Sequence, residues 1–140
     1  HCVTRRQRQM CIRDRLSITK NRLKVLKVFI KSGKPLALKS IKSLSDYIDR
    51  VSLFRILSSF EENKIIHTIN LNDGSTLYAL CSQDCDSNEE SHSHKHIHFQ
   101  CNDCNDVSCL SISNFPTLVV PNYIINDISI NASGVCSSCK

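Results

Sequence analysis

Two Cys-x-x-Cys pairs, Cys101/Cys104 and Cys136/Cys139, bracket the last part of this 140-residue chain and constrain its fold more than any other feature. Four thiolates in two close pairs are what a tetrahedral zinc ion needs, each pair supplying one edge of the tetrahedron. The pairs are far apart in sequence, so one structural zinc per chain would staple the start of this region to its end. Two disulfides, or buried free thiols, are the alternative uses of the same cysteines. Histidines beside paired cysteines, with no charged-then-apolar leader, favour metal binding in a reducing cytoplasm. His92, His94, His96 and His98 stand directly before the first pair. Their alternation points all four imidazoles to one side of an extended strand.

Residues 1–15 are read apart from the rest, because Arg5 to Arg15 look like one reading frame of a transposase-type sequencing adapter. They are set aside as a fusion scar. The remaining charge is uneven. From Leu16 to Lys64 there are eleven Lys/Arg against four Asp/Glu, a net +7, and from Ile65 to Lys140 two against eight, a net −6. A basic front and an acidic, Cys/His-rich back suggest a module facing nucleic acid followed by one of another kind. A lysine-rich solvated helix surface would give the same front-half charge. No apolar run approaches membrane-spanning length. The Asn131-Ala-Ser sequon reads as chance in a cytoplasmic protein.

The front half, residues 16–80, reads as three helices and a hairpin. Thr19 caps a helix to about Lys31, with Leu23, Leu26 and Ile30 on one face and Gly33 and Pro35 ending it. A second, poorly capped helix spans about Ala37 to Tyr47, with Ile41, Leu44 and Ile48 facing inward. Asp49 caps a third, from about Arg50 to Glu62, whose core stripe is Leu53, Leu57 and Phe60. Asn63 is expected to stop it in a left-handed turn. Ile65–Ile69 and Thr76–Leu80 are β-rich runs around Asp73-Gly74, a hairpin signal. This is the layout of a winged helix-turn-helix, whose third helix enters the major groove. Residues 81–95 form an acidic linker. Residues 96–140 read as a small zinc-stapled β module with strands at His96–Cys101, Val107–Leu110 and Tyr123–Ile130. The fold class is therefore α+β.

The chain resembles the ferric uptake regulator family of metal-responsive repressors over nearly all of the body. Ile18-Thr-Lys-Asn-Arg22 is similar to that family's L-T-x-Q-R opening. Val51-Ser-Leu-Phe-Arg-Ile-Leu57, followed by Phe60-Glu-Glu62, resembles its A-T-V-Y-R-T-L-x-x-L-E-E recognition helix. His96-x-His98-x-x-Cys101-x-x-Cys104 resembles its H-x-H-x-x-C-x-x-C, closed by Cys136-x-x-Cys139. The departures are informative. Phe54 replaces the usual Tyr, Pro35 a common His, and Ala79 an acidic ligand, while Lys95 and Ile97 occupy the positions of a further metal site. The usual long helix of the dimerisation module is missing from the pattern.

What the resemblance implies is a homodimeric, metal-dependent repressor that binds a palindromic operator in double-stranded DNA. It is no enzyme, for the Cys/His set lacks the H-x-E and P-C-x-x-C of deaminases. Expected DNA contacts are Ser52, Phe54 and Arg55, with Lys20, Arg22 and Arg50 as backbone contacts. Cys81, His96, His98 and Cys109 are the expected sensing site. Thiolate plus imidazole favours zinc over manganese or ferrous iron, so the second, exchangeable metal is expected to be zinc. His67 reads as a surface residue of the wing, His92 and His94 as loop histidines, and Cys85 as a reserve ligand, a redox thiol or a residue with no role. The competing functions are a thiol-based redox or peroxide sensor, and a zinc-binding scaffold that does not touch DNA.

Overall fold

In the computed structural model the described residues are 19–81, 96–126 and 128–140. The adapter-like stretch and the linker beyond Cys81, with Cys85, His92 and His94, lie outside them. The chain divides into two units, His1–Cys81 and Ser82–Lys140.

The first described helix, α1 (Lys20–Ser32), begins where Thr19 Oγ1 accepts the backbone N–H of Arg22. It ends at Gly33, whose φ of 66° is a left-handed cap, with its N–H returning to the Phe29 carbonyl. Its buried stripe is Val25, Leu26 and Phe29, while Leu23 and Ile30 are only partly buried. The face is therefore rotated from the expected one. Leu36–Ala37 then form a short strand, β1, which the sequence reading missed. Helix α2 (Leu38–Leu44) is shorter than expected and has no side-chain cap. Leu44 is 57 % exposed, against the expectation. The chain turns instead through Tyr47 at φ 68°, and Ile48 enters the core from that turn. Lys24 Nζ donates to the Asp46 carbonyl at 2.9 Å, and Lys42 Nζ to the Ile48 carbonyl, so two lysine side chains hold the turn.

Helix α3 (Arg50–Glu62) has the predicted bounds. Asp49 accepts from the Ser52 N–H at 2.9 Å and the Ser52 hydroxyl at 2.6 Å. These bonds, the hydroxyl's first, hold the Asp49 carboxyl below its ordinary value. Leu53, Ile56, Leu57 and Phe60 are buried. Asn63 is not left-handed, with φ −89°; Lys64, at φ 58°, makes the turn instead. Strands β2 (Ile66–Asn70) and β3 (Thr76–Leu80) form the hairpin, and β1 adds to its far edge in the antiparallel order β1-β3-β2. The core of this unit packs the three helices against Leu36 and Ile66. Fully burying one such Leu or Phe stabilises the fold by about 1.5–3 kcal/mol.

The second unit is a three-stranded sheet in the order β5-β4-β6. Strands β4 (His96–Cys101) and β5 (Val107–Ser111) lie close to where the sequence suggested, and they pair antiparallel. The third strand does not fall at 123–130. It is β6 (Asn131–Gly134), parallel to β4, with His98 opposite Asn131 and Cys101 opposite Gly134. Residues of such low strand propensity are held there by their neighbours rather than by preference. A Cβ on Gly134 would lie 3.3 Å from the Phe99 ring, so a close approach keeps this position small. Among the described residues the unit contains no helix, and its buried hydrophobic residues are only Cys101 and Val107. So small a core needs a staple. No helix of the described residues is long and apolar enough to cross a membrane.

Candidate metal centre and DNA-reading helix

Cys101 closes strand β4, and Cys104 follows in a tight turn in which the Asn105 N–H returns to the Cys101 carbonyl at 3.0 Å. The parallel strand β6 delivers Cys136 to the same place, where its backbone N–H donates to Cys101 Sγ at 3.4 Å. A second turn, closed by the Cys139 N–H on the Cys136 carbonyl at 3.1 Å, brings in the last thiol. All four sulfurs lie within 4.8 Å of one another. With Zn–S bonds of about 2.3 Å, tetrahedral sulfurs stand about 3.8 Å apart, and Cys104 and Cys136 Sγ are separated by 3.8 Å. The donor set fits zinc. The backbone N–H groups of Cys104 and Cys136 pull the Cys101 thiol down to about 6. Cys139 is pushed up to about 12, chiefly by its hydrogen bonds to Cys136 and Cys104.

A second donor set lies on the same sheet. His96 and His98 share one face of β4, and Cys109 lies directly opposite His98 on β5. Both imidazoles are buried, and Cys109 is exposed. The Nε2 atoms of the two rings are 3.1 Å apart, with the rings at 71°. Two nitrogens on one zinc, at bonds of about 2.0–2.1 Å, would be about 3.3 Å apart. His98 Nδ1 meets Asn131 Oδ1 at 3.3 Å. Cys81 closes the wing in the first unit, and its Sγ is 3.7 Å from His67 Nδ1.

His67 is the functional candidate that the sequence reading placed wrongly. It is 7 % exposed rather than a surface residue. The hairpin register contained the signal: His67 opposes Ala79, so Cys81, two residues on, falls on the same face of the ladder.

The outward face of α3 carries Val51, Phe54, Arg55, Ser58 and Glu62, all exposed. Phe54 is 39 % exposed while its neighbour Leu53 is wholly buried, which separates the ring from the core stripe. The Arg50 guanidinium stands 5.6 Å from the Phe54 ring centre. Ser52, in contrast, spends both its N–H and its hydroxyl on Asp49. Lys20 is exposed at the start of α1, with Arg22 half-buried two residues on.

The Ferric uptake regulator family model matches residues 14–117, well over half of the chain. The chain belongs to the ferric uptake regulator family. Members are metal-responsive transcriptional regulators, not enzymes. Solved structures agree on the fold. A zinc uptake regulator bound to zinc and DNA aligns with a TM-score of 0.70 at 17% identity, over 97% of this chain and 95% of that one. The Vibrio cholerae ferric uptake regulator aligns at 0.61 and 21% identity, over 92% and 99%. The Helicobacter pylori ferric uptake regulator, described with three functional metal sites, aligns at 0.54 and 18% identity, over 96% and 89%. No curated protein matches the chain closely enough to count as a relative.

Proposed function

We propose that this ferric uptake regulator family protein is a zinc-responsive, homodimeric repressor of the cytoplasm that binds a palindromic operator. The reading rests above all on the pair His96 and His98, with Nε2 atoms 3.1 Å apart and Cys109 opposite His98. Nitrogen and sulfur donors together suit zinc better than manganese or ferrous iron. Cys101, Cys104, Cys136 and Cys139 would hold the permanent zinc, and His96, His98 and Cys109 the exchangeable one. Three donors leave one tetrahedral position, for which Cys81 is the proposed ligand and His67, its neighbour, the further candidate. When bound, the ion supplies a fixed positive charge and a crosslink between its ligands.

A ligand can act as a switch only through unequal affinity for two conformations. Drawing Cys81 of the wing and the β4–β5 histidine site onto one ion would restrict how the DNA-binding unit stands on the dimer. Phe54 and Arg55 would then reach base edges and phosphate from α3, with Arg50, Lys20 and Arg22 on the backbone. Ser52 contributes through its cap more than through a free hydroxyl. The exposed apolar run Leu118, Val119, Val120, Tyr123, Ile124 and Ile125 supports a second copy as partner, since a soluble monomer rarely leaves so much apolar surface together.

The test is metal analysis of the purified protein alongside operator binding with and without a chelator. The proposal expects a tightly held zinc plus an exchangeable one that changes DNA affinity. A His96→Ala/His98→Ala protein should keep one zinc per chain and lose the response. Unaltered zinc dependence in that variant refutes the sensing site.

A further inference from the structure

We propose that Asn131 is a positioning residue for the histidine site, fixing His98 in the tautomer whose Nε2 is open to metal. The inference rests on the reading of His96 and His98 as ligands and concerns how one of them is held. Cys109, His98 and Asn131 form a single row across the sheet, one residue from each of β5, β4 and β6. Directly paired residues share a face. His98 therefore has a sulfur donor on one side and a carboxamide on the other. Its Nδ1 lies 3.3 Å from Asn131 Oδ1, and its Nε2 lies 3.1 Å from His96 Nε2.

The ring's two nitrogens are not equivalent, and the hydrogen bond at one decides which nitrogen offers its lone pair. An amide oxygen only accepts, so Nδ1 of His98 must carry the proton. Nε2 is then unprotonated and accepts from His96 in the metal-free protein. The same carboxamide also limits rotation of the ring.

Asn131 sits in a strand whose own preferences are weak, and its place depends on pairing with β4. That pairing ends at Cys101 opposite Gly134, two residues before Cys136. The cysteine staple and the histidine site therefore share one short ladder, and Asn131 links them.

The experiment uses the full chain stripped of exchangeable metal but retaining its structural zinc. Long-range proton–nitrogen NMR reads the His98 tautomer, chelator competition reads zinc affinity, and elemental analysis reads total zinc. Asn131→Ala should move His98 away from the Nδ1–H form and weaken exchangeable zinc binding about 10–100-fold, with the structural zinc kept. Asn131→Asp should restore both, because a carboxylate accepts the same bond. Parent-like tautomer and affinity in Asn131→Ala overturn the proposal. So does loss of the structural zinc in both variants, which would make Asn131 merely a strand residue. A parent that takes up no second zinc overturns the metal half together with the proposed site, while the tautomer of Asn131→Ala still upholds or refutes the hydrogen bond.

Discussion

Phe54 and Leu53 are adjacent apolar residues whose burial assigns them different work. Leu53 is completely buried, so Leu53→Ala should cost about 2–5 kcal/mol of stability, read in denaturant melts. Phe54 is 39 % exposed on the outward face of α3. Phe54→Ala should leave the melt nearly unchanged, cost about 1–3 kcal/mol in operator binding and relax preference at one base. A large stability loss with unaltered specificity would place the ring in the core instead. Arg55→Ala should weaken binding to all sequences and lower the salt slope by about one. The sequence revealed this helix well, because its cap, length and stripe are all local features. It misled at His67, which is buried on the hairpin face that carries Ala79, and at Leu44, the last residue of α2, which is exposed. In the sequence Asn131 stands out only as a sequon, since nothing local marks the residue that lies beside it across a parallel ladder.

At the scale of elements, the two halves of the chain differ in how they are held. The first unit has a core of helix stripes and hairpin, and periodicity foretold most of it. The second has a sheet whose third strand, Asn131–Gly134, has no strand-like composition, while the described residues of the β-rich run at 123–130 form no strand. Alternation reports only that a strand could form, and the partner that makes it one lies elsewhere in the chain. The four-cysteine cluster was legible all the same, because the spacing within each Cys-x-x-Cys pair is itself local. Cys136→Ser should release the zinc and unfold the second unit while the first retains its helical signal in circular dichroism. Structural zinc is worth on the order of 10–16 kcal/mol in small peptides, more than a domain's usual net stability. Acid should do the same in stages. Cys139, pushed up to about 12, keeps its proton at neutral pH until metal displaces it, whereas Cys101, down at about 6, has largely lost its own. Zinc uptake near pH 8 should therefore release protons, and apparent affinity should rise with pH, falling further below 6 as Cys101 protonates. Calorimetry in buffers of different ionisation enthalpy counts those protons. Uptake without proton release would contradict the thiol assignment.

For the whole molecule, charge and apolar surface are distributed unevenly along the chain. The net +7 of residues 16–64 accompanies the helix proposed to face DNA, and the net −6 of 65–140 accompanies the proposed metal ligands and the exposed apolar run. Val119 is 87 % exposed and Ile124 90 %. Both lie in a segment that forms no helix among the described residues, so the proposed dimer would be built on an irregular strip. Burying one such side chain contributes about 1.5–3 kcal/mol. Val119→Asp/Ile124→Asp should therefore weaken self-association at least about 100-fold, at 1.4 kcal/mol per tenfold. Sedimentation equilibrium at micromolar concentration should find monomers that keep the structural zinc. Operator binding should fall with it, because two half-sites about one helical turn apart need two linked recognition helices, and a monomer contacting one half-site should show a correspondingly shallower salt dependence. A doubly substituted protein that stays dimeric and binds the operator as the parent does would move the interface to another face and leave the apolar strip for a different partner.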